Sequence, residues 1–120
     1  MANPFVHVEL NTTDVPKAKA FYGNLFGWKL EDVSMPNGTY TMIQVGEGTG
    51  GGIMLHPVPG ALSTWLAYVL VDDIAAATEK ARSLGAVVMR EVTEVPGAGW
   101  LSIIVDPTGA TLGLWKPSGS

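Results

Sequence analysis

Phe5-Val-His-Val-Glu-Leu10 alternates as a half-buried strand does, and the Asp14-Val-Pro-Lys-Ala-Lys-Ala-Phe-Tyr-Gly-Asn-Leu-Phe-Gly-Trp28 that follows changes to the period of a helix. Thr12, Thr13 and Asp14 supply the short polar side chains that cap a helix, and Pro16 falls in the first turn, where its missing N–H costs little. Apolar residues at Val15, Ala18, Phe21, Tyr22 and Leu25 recur every three or four positions, and Gly27 stops the run. A helix over about 15–25, packed by one face on a sheet, is the expectation. Asn11-Thr12-Thr13 also matches a glycosylation sequon, but it is read here as the capping turn.

Working outward, strands are expected at about 28–33, 40–45 and 52–56, the first two joined by the turn Pro36-Asn37-Gly38. The glycine-rich run Gly46–Gly52 is a turn rather than a phosphate loop, since it has no lysine and precedes a strand instead of a helix. The second half repeats the order. A strand at 65–71 leads to Asp72-Asp73, which caps a helix over 74–84 that ends at Gly85. Strands at 87–92, 99–105 and 111–115 follow, with Asp106-Pro-Thr-Gly109 as the last turn. Asp14 and Asp73 are 59 positions apart, as are Leu25 and Leu84, Gly50 and Gly109, and Leu55 and Leu114. The fold class is therefore α+β, two tandem βαβββ modules forming curved mixed sheets around a cavity.

The chain of 120 residues, 47% of them apolar, suits one domain with a continuous core. Module one takes about 5–57, module two about 64–116, and 117–120 reads as a flexible tail. With no cysteine there is no thiol nucleophile and no disulfide framework. No apolar run approaches the roughly 20 residues of a membrane span, and the N-terminus has no signal-like h-region, so a cytoplasmic protein with no membrane contact is expected. Only seven Lys and Arg, none of them clustered, stand against eleven Asp and Glu, so nucleic acid is not an expected partner.

Alternation assigns the faces. Val6, Val8 and Leu10 should cover the first helix, leaving Phe5, His7 and Glu9 on the concave side. Trp65, Ala67 and Val69 should cover the second helix, with Leu66 and Tyr68 opposite. In the last strand of each module Ile53 and Leu55 match Leu112 and Leu114 as core, so Met54 and His56 match Gly113 and Trp115 on the cavity side. The expected lining is His7, Glu9, Met54, His56, Leu66, Tyr68, Gly113 and Trp115, apolar and aromatic with a few polar groups, as small-molecule sites are. Trp28, Trp65 and Trp100 are assigned to core or interface, and Asp72 and Asp73 to capping.

Over nearly its whole length the chain resembles the vicinal-oxygen-chelate superfamily, the glyoxalase, bleomycin-resistance and dioxygenase group. The opening stretch quoted above, Val71-Asp-Asp-Ile, and Asp106-Pro-Thr-Gly-Ala-Thr-Leu-Gly-Leu114 carry the resemblance in order. It implies a homodimer with two equivalent sites. It also implies a divalent metal held by a ligand on each of four strands, at positions that correspond here to His7, Met54, Leu66 and Gly113. Only His7 among them is a competent ligand, so no cofactor is expected.

Without a metal, His7 is the leading acid–base candidate, with Glu9 and His56 beside it as catalytic candidates. Met54, Leu66, Tyr68, Gly113 and Trp115 are expected to bind the ligand, Tyr68 and Trp115 as flat walls. The function expected is a metal-independent enzyme acting by proton transfer on a small planar organic substrate. One alternative is a protein that sequesters a drug or metabolite, its acidic balance favouring a cationic one. The other is a metal-dependent lyase or dioxygenase with a site rebuilt from His7, Glu9 and His56.

Overall fold

Asp14 ends one strand and starts one helix. Its Oδ1 accepts the Lys17 N–H at 3.0 Å, Thr12 Oγ1 accepts the Asp14 N–H at 3.2 Å, and Gly27 closes the helix at φ 68°, where a side chain would be strained. The computed structural model describes residues 2–36 and 38–119, so the middle of the Pro36-Asn37-Gly38 turn lies outside the described residues. The element order is β1 (Phe5–Thr12), α1 (Val15–Phe26), β2 (Lys29–Met35), β3 (Gly38–Gln44), β4 (Gly51–Leu55), β5 (Thr64–Leu70), α2 (Ile74–Ser83), β6 (Val87–Val95), β7 (Gly99–Val105) and β8 (Thr111–Pro117). That is βαβββ twice, with strand ends within a few residues of those expected.

The chain divides into two units, His7–Leu66 and Ala67–Ser120 with Met1–Val6. The first residues belong with the later unit. Asn3 Nδ2 donates to the Leu70 carbonyl at 2.8 Å, and the Leu70 N–H donates to the Pro4 carbonyl at 2.9 Å.

In the unit His7–Leu66 the strands lie in the order β2-β3-β4-β1, with β1 and β4 parallel and the other pairs antiparallel. Leu10, Ile43 and Ile53 form its buried centre, and Val15, Ala18 and Tyr22 of α1 pack on them. The helix face differs from the expected one in part. Phe21 and Leu25 are 57% and 55% exposed. Phe21 stands about 100° round the helix from Tyr22, and Leu25 continues the Phe21 row one turn on, so both miss the stripe that meets the sheet. The Phe21 ring instead meets Tyr22 edge-on, with centroids 4.9 Å apart. Trp65, expected against the second helix, meets Tyr22 of α1 edge-on with ring centroids 5.4 Å apart, next to the cluster of Tyr22, Phe26 and Trp28.

In the other unit the order is β5-β8-β7-β6, again with one parallel pair, β5 and β8. Asp73 caps α2 by accepting the Ala76 N–H at 3.0 Å, and Lys80 and Arg82 in the last turn suit the negative end of the helix dipole. Val71, Ile74 and Leu114 are buried, with Val69, Ala77, Trp100 and Leu112 around them. Thr78 and Ser102, both fully buried, join α2 to β7. Thr78 Oγ1 donates to the Ile74 carbonyl at 2.6 Å and lies 2.8 Å from Ser102 Oγ, so Ser102 is the donor between them.

The turn after β7 is held by Asp106. Its Oδ1 accepts from Thr108 Oγ1, the Thr108 N–H and the Ala110 N–H at 2.7–3.1 Å, and these bonds, the Thr108 hydroxyl first, keep its carboxyl below the usual carboxylate range. Pro117, expected in the flexible tail, extends β8 together with Lys116. Gly99 pairs with Pro117, and the Ser118 N–H donates to the Ala98 carbonyl at 2.9 Å. Among the described residues no helix is long and apolar enough to cross a membrane.

Candidate functional site

On β1 the side chains divide as expected. Leu10 joins the core under α1, and Val8 lies on that side with Trp28 and Val45, so His7 and Glu9 occupy the opposite face. On β3, Thr41 and Ile43 are buried on the helix side, which turns Tyr40 and Met42 the other way. Tyr40 therefore shares the face of His7 and Glu9 although it stands two strands away.

Gly52 lets Tyr40 cross that gap. It lies on β4 between them, paired with Glu9 on one side and Met42 on the other, and a Cβ there would fall on the phenol ring. The Tyr40 hydroxyl reaches β1, where it lies 2.7 Å from His7 Nε2 and donates to Glu9 Oε1 at 3.0 Å. A phenol has one hydrogen. Since Tyr40 gives it to Glu9, its oxygen is left to accept, and the contact with Nε2 is a hydrogen bond when that nitrogen carries a hydrogen. The imidazole and phenol rings are 24° from parallel with centroids 6.2 Å apart.

Burial pulls the His7 pKa below the ordinary histidine value, because the cation loses solvation. Glu9 is 8% exposed, so its carboxyl and the imidazole share a partly water-excluded face. The folded state thus binds the His7 proton less readily than the unfolded chain. The associated stability is complete above about pH 6.5 and is lost as pH falls from there through the lowered folded value. Urea midpoints between about pH 7 and 5 should decline in the natural protein and decline less in His7→Gln, where only the other titrating groups remain. Equal slopes would place the cause elsewhere.

His56 lies beyond the end of β4. Its N–H donates to the Thr12 carbonyl at 2.8 Å, and its Nδ1 accepts the Val58 N–H at 3.0 Å, so the imidazole closes a turn instead of standing beside His7. The strand face assigned to it ends at Leu55, one residue short. Met54 is partly buried and Leu66 is buried.

In the other unit Tyr68 is buried with its ring over Gly113, its partner on β8, and Trp115 lies against Gly99. Tyr68 fills the space that a side chain at 113 would need. Among the described residues no three His, Asp or Glu side chains gather where a metal could bind, so His7, Glu9 and His56 do not form the rebuilt set. The donor chemistry of His7, Met54, Leu66 and Gly113 does not fit a divalent ion either, since it amounts to one imidazole, one thioether, one hydrocarbon and no side chain.

Tyr40 is the residue that sequence reasoning missed. Its signal lay in the alternation of β3 and in a glycine at 52, but neither identifies a contact across two strands.

Comparison with known proteins accords with this architecture. The family model for the Glyoxalase/Bleomycin resistance protein/Dioxygenase superfamily matches residues 5–114. A putative glyoxylase, CFP32 of Mycobacterium bovis, is 39% identical over 115 residues, which is 91% of this chain and 44% of that protein. The anthracycline biosynthesis protein DnrV of Streptomyces peucetius is 27% identical across 90% of this chain and 45% of its own length. The chain thus spans less than half the length of these curated relatives. Methylmalonyl-CoA epimerase from Mycobacterium tuberculosis has the same fold, with a TM-score of 0.72 and 17% identity over 96% of this chain and 88% of that one. Two βαβββ units and a family match over nearly every residue identify the chain as a member of the Glyoxalase/Bleomycin resistance protein/Dioxygenase superfamily.

Proposed function

We propose that this protein is an enzyme that moves a proton on a small organic molecule without a metal, with His7 as the group that accepts or delivers it. The observation that carries this reading is the hydrogen-bonded row His7, Tyr40 and Glu9, on the sheet face not used for core packing. A neutral imidazole beside a carboxylate is suited to general acid–base work near neutral pH, and the lowered His7 pKa favours the neutral form. The proposed substrate is a planar carbonyl compound. Supporting this are the word glyoxylase in one relative's name and anthracycline biosynthesis in another's.

The test is proton exchange. Small α-carbonyl compounds, thioesters among them, are incubated with the protein in D2O and followed by NMR; protein-dependent deuterium uptake at a carbon beside the carbonyl is expected for at least one. Binding with no exchange across the panel would favour a second reading, sequestration of a flat metabolite. Elemental analysis after incubation with Fe²⁺, Mn²⁺, Ni²⁺ and Zn²⁺ is expected to find far less than one ion per chain. About one ion, lost in His7→Ala, would replace this reading with metal-assisted chemistry.

A further inference from the structure

We infer that Tyr40 is a positioning residue: it holds the hydrogen of the His7 imidazole on Nε2 by passing its own hydrogen to Glu9. The inference deepens the proton-transfer reading and rests on it for its consequence, although not for its test.

The chemistry follows from what each group can offer. Adjacent strands lie about 4.8 Å apart, so a side chain on β3 must extend over β4 to reach β1. Serine and threonine are too short. Lysine and arginine only donate, and could not accept from an imidazole N–H. A phenol is long, rigid and able to accept on its oxygen while donating its one hydrogen. Glu9 Oε1 at 3.0 Å takes that hydrogen as the stronger acceptor, and the oxygen at 2.7 Å from Nε2 is left to accept from the ring.

The order Nε2–H to Tyr40 oxygen, Tyr40 O–H to Glu9 is therefore directional. It keeps the same bonds whether His7 is neutral or protonated, because Nε2 carries a hydrogen in both forms. A change in the charge of the ring therefore needs no partner on this row to turn round. Gly52 belongs to the device, since only a residue without a side chain leaves the ring room to lie across β4.

The experiment reads the tautomer directly. The chain has two histidines, so ¹⁵N-imidazole spectra contain two ring systems, and His7→Gln assigns them. At a pH where His7 is neutral, its Nε2–H form is expected to exceed the Nδ1–H form by about tenfold, the scale of one hydrogen bond. Tyr40→Phe keeps the ring and removes the hydroxyl, and should reduce that ratio to near unity; Gly52→Ala keeps the hydroxyl but displaces it, and should act in the same direction. A dominant Nδ1–H form in the natural protein overturns the inference without any variant. An unchanged ratio in folded Tyr40→Phe overturns it too. Loss of the preference in Tyr40→Phe, with no proton exchange on any compound, would leave the positioning role standing and remove the proton-transfer reading instead.

Discussion

A His7→Gln variant is expected to exchange substrate protons about 10²–10⁴-fold more slowly than the natural protein, the range lost when a general acid–base group is removed. Glutamine is the informative substitution. Its amide is close to imidazole in reach and can still donate to the Tyr40 oxygen, so the row on this face keeps its first bond while the titrating nitrogen is gone. His7 is partly buried but lies outside the apolar centres of both units, and its replacement should leave the far-UV spectrum and cooperative unfolding intact. The rate is measured as deuterium uptake per unit time at equal concentrations of folded protein. A variant within twofold of the natural rate would take His7 out of the chemistry and shift the reading to ligand sequestration.

The largest stability effect is expected at Ile53. This side chain has no exposed surface, sits on β4 with Leu10 of β1 and Thr41 of β3 as its register partners, and is covered by α1. Ile53→Ala removes three carbon atoms from a space walled by strands on both sides and a helix above. Little of that wall can collapse, so a loss of about 3–4 kcal/mol is expected in urea unfolding, in the upper part of the range for such truncations. Leu55→Ala is the control. It lies two residues on, on the same face of the same strand, but is 61% exposed, and should cost less than about 1 kcal/mol. Similar losses in the two variants would mean that strand propensity, not cavity formation, sets the cost.

In the unit that holds β8, Tyr68 lies where a side chain from residue 113 would project. A side chain introduced at Gly113 would therefore have to displace a buried phenol. In the other unit Gly52 makes room in the same way for Tyr40. Each unit thus pairs a tyrosine with a glycine on the face away from its helix, but only in His7–Leu66 does the phenol join an imidazole to a carboxylate.

Periodicity and punctuation determined the elements. The two helices, their Asp14 and Asp73 caps, the order of eight strands and the side of β1 that carries His7 and Glu9 all follow from interactions within a few residues, which the linear chain contains. The same local information placed Ile53 and Leu114 in the core, with Leu112 packed beside it, but it also placed Leu55 there, which lies at the end of β4 and is 61% exposed. What depends on residues far apart in sequence was decided by the tertiary structure. Phe21 and Leu25 satisfy the helical pattern but stand outside the stripe that meets the sheet, Trp65 joins the Tyr22 cluster of α1, and His56 turns its nitrogen to Val58. The link from His7 through Tyr40 to Glu9 is of that kind. It requires three strands in register and a glycine in the middle one, and a hydrogen bond spanning 33 positions of chain leaves no periodic trace in the residues at its ends.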